Sequence, residues 1–204
     1  MKVIGIDLAG VETKQTGYAI LLGMATETKV LFSDAEITEE IANCKPSIVS
    51  IDAPLSRPLH GKTRCCEKQL MHMGIKVFPC MFAGMKKLTE RGIRVAETVK
   101  RLGYEVIESY PGSAQDILNI PRKGRSVKAL QKGLIRCGIT GDVEKSGITN
   151  HELDAITSAI VGLMYLLGET ISIGNRNEGL MVIPKRANHP TVTDSAFSET
   201  YAKG

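Results

Sequence analysis

The chain has 204 residues, of which 43% are hydrophobic and 24% are charged, with a net charge of +4. These proportions are typical of a globular protein and exclude an intrinsically disordered one. The charge is compatible with a polyanionic partner without requiring one. Among the five cysteines, Cys65 and Cys66 are adjacent; reduced thiols are therefore expected, which predicts a cytoplasmic protein. The longest strongly apolar stretch, 155–167, is too short to cross a bilayer, so no membrane association is expected.

The first half of the chain alternates short apolar runs with turn-forming residues. This pattern predicts strands at 2–7, 16–23, 28–33 and 47–52. The first three follow one another closely enough to form a meander. A short helix is expected at 36–43. The segment 54–83 is rich in Pro, Gly, Cys and His, and a helix is predicted near 64–73.

The second half changes to a helical period. An amphipathic helix is predicted at 84–102, where Gly103 is placed to end it. A strand at 104–108 and a basic helix at 126–137 follow. Thr149 and Glu152 have the spacing of a capping box, which predicts a helix from there to about Leu167. A short edge strand is predicted at 180–183.

This order of elements predicts an α/β fold. Three successive strands followed by strands separated by helices indicate a three-layer sandwich around a mixed, five-stranded central sheet, with the first three strands a meander and the next two parallel, flanked by helices. We expect one domain over residues 1–184, with an inserted loop and helical segment at about 54–103. A polar C-terminal tail is expected over 185–204.

Three apolar strands each end at an acidic residue. VIGID ends at Asp7, IVSID at Asp52 and EVIE at Glu108. If these strands are parallel neighbours, the acids meet at the edge of the sheet where ligands bind in open α/β folds. A fourth acid, Asp154, lies early in the late helix, whose small residues would let it approach the sheet.

Carboxylates collected in one place repel each other unless they share a proton or bind cations. Oxygen ligands at a partly hydrated site suit Mg²⁺ or Mn²⁺. Two such ions about 4 Å apart would activate water and stabilise the leaving oxygen of a phosphodiester. The alternative for any one acid is a simple turn cap. That alternative is strongest for Glu108.

Several stretches resemble the RNase H-like superfamily of nucleases and resolvases. They are VIGIDLAG with TGYA, SIVSIDAPLSRP, RCCE, VIESYPG and HELDAITSAIV, spread over residues 3–165. The resemblance is closer to an uncharacterised family of predicted nucleases within that superfamily, the domain of unknown function 429. It implies an RNase H-like fold in which Asp7, Asp52 and Asp154 are catalytic metal ligands. It also implies His151 near the scissile phosphate and Glu108 at the edge of the catalytic site. In better-known members the second acid is often Glu, so Asp52 could alter which metal is held.

Basic residues offer candidate contacts to the substrate. Arg57 and Arg64 follow Asp52 closely and are the first candidates for binding phosphate. Lys128 and Lys132 lie on one face of the basic helix, which could follow a phosphate backbone or simply be solvated. The spacing of Cys65, Cys66 and Cys80 does not match paired zinc knuckles, so ordinary thiols are expected, with no role assigned.

Three functions are consistent with these features. The first is a metal-dependent endonuclease that hydrolyses phosphodiester bonds with two Mg²⁺ or Mn²⁺ ions. The second is a catalytically inactive module that binds nucleic acid or protein through the 54–83 segment. The third is a nucleotide-binding phosphohydrolase, ranked last because related ATPases and sugar kinases need two such domains. A nucleic-acid partner is expected without its type, and the oligomeric state is open, with a homodimer among the options.

Overall fold

The strands lie in the two ranges that the computed structural model describes, residues 1–124 and 126–186. They are β1 (Lys2–Asp7), β2 (Thr16–Leu22), β3 (Ala25–Leu31), β4 (Ile48–Asp52), β5 (Val106–Ser109), β6 (Thr140–Gly141), β7 (Thr170–Asn175) and β8 (Gly179–Pro184). The helices of the same ranges are α1 (Asp34–Cys44), α2 (Cys65–His72), α3 (Lys86–Arg101), α4 (Pro111–Ile117), α5 (Val127–Arg136) and α6 (Asn150–Leu166). None of these helices has the length and hydropathy needed to cross a membrane. Residues 187–204 of the predicted tail lie outside the described ranges.

All of these strands join one mixed sheet in the order β6-β3-β2-β1-β4-β5-β8-β7. The predicted α/β class is confirmed, as are the antiparallel β1-β2-β3 meander and the parallel pairing of β1, β4 and β5. The predicted count of five strands was wrong, because the described sheet has eight. The stretch predicted as an edge strand is β8, which pairs on both sides, so that β7 forms the edge instead.

The two faces of the sheet are covered by different helices. Alternate residues of β1 point to opposite faces, as strand geometry requires. Val3 packs in a buried cluster with residues of α6 such as Ala155 and Ala159. Ile4 and Ile6 pack in a second cluster that includes residues of α1 and α3. The central strands are therefore apolar on both faces, as their continuous hydrophobic runs predict.

Helix α6 lies unusually close to the backbone of β1 and β2. A Cβ atom added at Gly5 would lie 2.0 Å from the Ala155 carbonyl oxygen, and one added at Gly17 would lie 2.0 Å from the His151 carbonyl oxygen. Only glycine fits at such distances. This contact places the first turn of α6 over the ends of β1 and β2, which is where the acidic residues lie.

The segment between β4 and α3 is attached to the β7-β8 hairpin. The carboxylate of Glu178 accepts hydrogen bonds from the backbone N–H groups of Leu59 and Cys65, at 3.0 and 2.7 Å. The carbonyl oxygen of Glu178 accepts a hydrogen bond from the Ser56 hydroxyl. These bonds join a loop near the start of the chain to a hairpin near its end.

Replacing Gly17 by alanine tests the close approach of α6. The added methyl group would meet the backbone of His151, so the helix must shift, and we expect the free energy of unfolding to fall by about 3 kcal/mol or more. Gly84→Ala is the matched control, because a Cβ atom there meets nothing within 4 Å. Urea unfolding followed by circular dichroism measures both changes. Equal stability of the two variants would contradict this account of the packing.

Candidate active site at the ends of the central strands

Two of the predicted metal ligands end neighbouring parallel strands in register. Asp7 is the last residue of β1 and Asp52 the last residue of β4, and the two are paired Cα partners. Side chains of residues paired in this way lie on the same face of a sheet. Counting back along β1, Asp7 shares its face with Gly5 and Val3, which is the face covered by α6. Asp7 is buried, and Asp52 is half-buried.

Helix α6 brings two more of the predicted residues to this face. His151, in its first turn, places Nδ1 2.7 Å from Oδ2 of Asp7. This hydrogen bond to the carboxylate is the main cause that raises the pKa of His151 above its ordinary value, with burial acting against it. The imidazole is thereby favoured in its protonated form, next to the acid that ends β1.

Asp154, one helical turn after His151, is bound by two residues that the sequence did not mark as part of a site. Lys123 places Nζ 2.5 Å from Oδ2 of Asp154. Gln115, on α4, donates its side-chain amide to Oδ1 at 2.8 Å. The sequence shows Lys123 only as part of a basic run with Arg122. Helix α4 was missed because Tyr110-Pro111-Gly112 has the composition of a turn, whereas Pro111 occupies the first position of the helix, where proline is accepted.

The carboxylates influence one another. Burial raises the pKa of Asp52 well above its ordinary value, and the negative charges of Asp7 and Asp154 raise it further. Burial also raises the pKa of Asp154, while Lys123 lowers it and Asp7 raises it. For Lys123, burial lowers the pKa, but the charges of the acids outweigh it and the net shift is upward. The upward shift favours the neutral, protonated form of the Asp52 carboxyl group, and its proton helps to offset the repulsion among the three acids.

These side chains fit a divalent metal in their chemistry. They offer hard carboxylate oxygen donors, which Mg²⁺ and Mn²⁺ prefer. In the described ranges, however, no three His, Cys, Asp or Glu side chains stand close enough together to hold one ion. Asp7 is engaged by His151 and Asp154 by Lys123 and Gln115. An ion held by Asp7, Asp52 and Asp154 would have to take over some of these contacts.

Glu108 has a different setting from the other strand-end acids. It pairs with Ile51 rather than Asp52, so its side chain lies on the opposite face of the sheet. Arg64 binds it through two hydrogen bonds, at 2.8 and 2.6 Å. Glu108 also accepts a hydrogen bond from the backbone N–H of Leu55, at 2.8 Å. It thereby holds the loop that follows Asp52.

Arg64 itself is fully buried. Besides Glu108, its guanidinium donates to Glu67 at 3.0 Å and to Ser56 at 2.9 Å. The N–H donors of its guanidinium are therefore occupied by Glu108 and by residues of the inserted segment, although the sequence suggested a contact to phosphate. A buried arginine with three protein partners is costly to release. Arg64 is a support of the site in this structure, and a substrate contact would require it to leave those partners.

The other predicted substrate contacts remain available at the surface. Arg57 is exposed and lies 3.9 Å from Glu90, a weak ion pair. Lys128 and Lys132 are exposed on α5, and neither forms an ion pair with another described residue. Their contact with substrate stays a prediction.

A second buried arginine supports the turn that follows Asp7. Arg91, on α3, donates Nη1 to the carbonyl oxygen of Ala9 at 2.9 Å and Nη2 to that of Phe32 at 2.5 Å. Its Nε donates to Asp34 at 2.7 Å. The turn that carries the chain away from Asp7 is thus fixed by a charge-assisted hydrogen bond.

The cysteines of the inserted segment differ in burial. Cys66 and Cys80 are buried, and burial raises the pKa of each to about 12. Both therefore remain protonated thiols at neutral pH, and their reactivity is low. Cys65 is half-buried, and its backbone N–H binds Glu178. The burial of Cys66 and Cys80 and the hydrogen bond from Cys65 indicate that these cysteines stabilise the inserted segment.

The start of α6 is fixed by the predicted capping box. Thr149 accepts a hydrogen bond from the N–H of Glu152, and the Glu152 carboxylate accepts one from the N–H of Thr149. Glu152 also binds the Thr28 hydroxyl and the Lys145 ammonium, both at 2.7 Å. Burial alone would raise the pKa of Glu152, but these partners lower it to about 2. Glu152, the residue after His151, thus ties the first turn of α6 to β3.

The antiparallel meander, the parallel β4 and β5 beside β1, and a helix laid over the acidic ends of β1 and β4 define an RNase H-like fold. Among solved structures, the chain is similar to Thermus thermophilus RuvC in complex with a Holliday junction substrate, with a TM-score of 0.52, 13% identity, and coverage of 82% of this chain and 97% of that one. A second T. thermophilus RuvC structure matches over the same shares at 13% identity with a TM-score of 0.49. At this identity the likeness shows the fold alone. No family model and no curated protein matches the chain, so the narrower family suggested by its motifs stays a prediction.

Glu152→Gln tests the anchor of α6. The pKa of Glu152 is about 2 in the folded protein against an ordinary value of 4.5. Its charge therefore contributes stability that is complete above pH 4.5 and is lost as the pH falls toward 2. We expect the variant to unfold more easily at pH 7 by about 1–2 kcal/mol, because it loses a charged acceptor of several hydrogen bonds. The difference from the wild type should shrink below pH 4.5 in urea titrations. Glu39→Gln, at an exposed position of α1, should change little at any pH.

Asp52→Asn tests the repulsion within the cluster. Removing one of the mutually repelling carboxyl groups should stabilise the protein at about pH 7.5 in EDTA by about 1 kcal/mol, as is common when functional residues are replaced. Thermal unfolding measures the gain, with Glu12→Gln as an exposed control. A loss of stability in the Asp52→Asn variant, with no change in the control, would show that Asp52 is well satisfied where it stands.

Proposed function

We propose that this protein is a metal-dependent nuclease that hydrolyses phosphodiester bonds. The observation that carries the proposal is the convergence of Asp7, Asp52, Asp154 and His151 on one face of the sheet at the ends of β1 and β4. Burial and the mutual repulsion of the acids raise the pKa of Asp52 and of Asp154. A divalent cation bound there would relieve that repulsion.

Asp7, Asp52 and Asp154 are the residues that would hold Mg²⁺ or Mn²⁺, in a two-metal arrangement. When bound, such ions polarise a phosphate oxygen and supply an activated water. The chain's own groups would do the rest. His151, fixed through Nδ1 to Asp7, has Nε2 left to donate a hydrogen bond to phosphate or to assist proton transfer, and its raised pKa favours the donor form. Glu108 and Arg64 would hold the loop after Asp52 in place.

A groove beside the acids is suited to a nucleic-acid strand. A cavity of about 600 Å³ is lined by Gln115, Arg122 and Lys76 among others, and an adjoining one of about 570 Å³ by Phe78 and Tyr110. Phe78 is 69% exposed. Arg122 is paired with Asp116 and Tyr110 is half-buried, so the exposed Lys76 and the exposed ring of Phe78 are the groups that would contact an unpaired nucleotide. Arg57, Lys128 and Lys132 are further candidates for phosphate contact. The fold is also that of a RuvC whose structure was solved with a Holliday junction substrate.

The second candidate is an RNase H-like module that binds nucleic acid or protein without cutting it. It is favoured by two observations: Asp154 is already paired with Lys123 at 2.5 Å, and no group of three metal-ligating side chains is preformed in the described ranges. No feature of that part of the chain favours a nucleotide-binding phosphohydrolase over these two. A cytoplasmic location remains a prediction from the sequence, and homodimeric assembly remains open.

A cleavage assay separates the two candidates. We expect the wild type to cut at least one of a panel of labelled single-stranded, duplex, hybrid and junction substrates in the presence of Mg²⁺ or Mn²⁺, and EDTA to abolish the reaction. Asp7→Asn and Asp154→Asn should each lower the rate about 100-fold or more, since each removes a charged ligand from the reacting centre. Glu97→Gln, an exposed carboxylate-to-amide change on α3, is the control.

Two outcomes would count against the nuclease. One is that no substrate is cut with either metal. The other is that the Asp7 and Asp154 variants cut as fast as the wild type. Retained binding of the same labelled substrates, measured by fluorescence anisotropy, would then support the binding module.

A further inference from the structure

Lys123 is the cation that contacts the acidic cluster most closely. Its Nζ lies 2.5 Å from Oδ2 of Asp154; the Asp154 side chain is only 4% exposed, whereas that of Lys123 is 44% exposed. The ammonium therefore enters the cluster from the solvent side. It is carried by the loop between α4 and α5, where Gly124 follows it. The carboxylate belongs to the packed helix, and the cation to a surface loop.

The charge of Lys123 acts on more than one acid. Asp7 and Asp52, as well as Asp154, raise its pKa. In return, Lys123 lowers the pKa of Asp52 and of Asp154. With Gln115 on the other oxygen of Asp154, the carboxylate has a partner on each side. A single positive charge thus lies against Asp154, where the proposed function requires a metal ion.

A lysine is suited to releasing the carboxylate of Asp154. Its ammonium is a compact, strongly hydrated charge on a flexible stem, and it bonds without the fixed two-point geometry of arginine. The contrast within this chain is clear, because the buried Arg64 holds Glu108 through two hydrogen bonds with no exposed surface. Lys123 can swing into water, whereas Arg64 cannot.

We propose that Lys123 is a resident counter-cation of the cluster, which occupies Asp154 in the metal-free protein and competes with a divalent ion for that carboxylate. This inference rests on the proposed function, because it presumes that Asp154 binds metal. Its consequence is that the free protein holds metal more weakly than its carboxylates alone would. Metal binding must displace the ammonium, which is then available to a phosphate group.

Calorimetric titration with Mn²⁺ tests the competition. We expect Lys123→Gln to bind Mn²⁺ about tenfold more tightly than the wild type, because the competing charge is gone. Lys123→Arg, which keeps the charge, should bind no more tightly than the wild type. Lys100→Gln, a matched change at an exposed position of α3, should leave the affinity unchanged. Equal or weaker binding by Lys123→Gln would overturn the proposal.

Cleavage by the same variants gives a second readout. If the displaced ammonium serves the substrate, Lys123→Gln cuts more slowly although it binds Mn²⁺ more tightly. A purely structural ion pair would instead weaken metal binding and cleavage together when it is broken, and that result would contradict the proposal.

Lysine labelling in the wild-type protein avoids dependence on a variant that fails to fold. The rate at which an amine-reactive reagent modifies Lys123, followed by peptide mass spectrometry, should rise several-fold when Mg²⁺ is added, while that of the exposed Lys100 stays constant. An unchanged rate at Lys123 in protein that binds Mg²⁺ would overturn the inference and leave the proposed function standing. Failure of the wild type and of Lys123→Gln to bind either metal would overturn both.

Discussion

The contact between α6 and the backbone of β1 and β2 is the constraint on which the rest of the site depends. Because Gly5 and Gly17 have no side chain, the helix backbone rests directly on the strands. The short distance between α6 and the strands fixes the position of the first turn of the helix. That position determines whether His151 can reach Asp7 and whether Asp154 faces the same edge of the sheet. Burial under the helix removes water from the acids, and this desolvation is the largest cause of the raised pKa of Asp52 and of Asp154.

The acidic residues on the two faces of the sheet have opposite environments. On the α6 face, carboxyl groups are crowded together and repel one another, which raises the pKa of Asp52 and costs stability. On the other face, Glu108 is matched by the buried guanidinium of Arg64, and the pair fastens the inserted segment to the sheet. The crowded carboxyl groups suit cation binding, whereas the Glu108–Arg64 pair stabilises the fold. The strand-end position alone does not distinguish them; the direction of the side chain does.

Much of this could be predicted from the sequence, for identifiable reasons. The buried strands are continuous apolar runs, and the capping box of α6 is a local signal, so both were found. Strand β7 was missed although Ile171 and Ile173 alternate with polar residues, because the run is short, ends in Gly174-Asn175 and has no fully buried side chain. Glu108 was grouped with Asp7 and Asp52 because β5 was expected to end at it. The strand ends one residue later, at Ser109, and a shift of one residue reverses the face. Lys123 and Gln115 depend on tertiary contacts with α6, for which the sequence carries no local signal.

The bonds from Glu178 to the loop at 56–65 have a consequence for how the protein is made. Asp7 and Asp52 are synthesised well before their neighbours His151 and Asp154, and before the hairpin that holds the inserted segment. Contacts so distant in sequence form late, since chain closure over that separation must come first. Helix α6 and the inserted segment therefore both reach their places at a late stage of folding. A partly synthesised chain therefore contains Asp7 and Asp52 but still lacks His151 and Asp154.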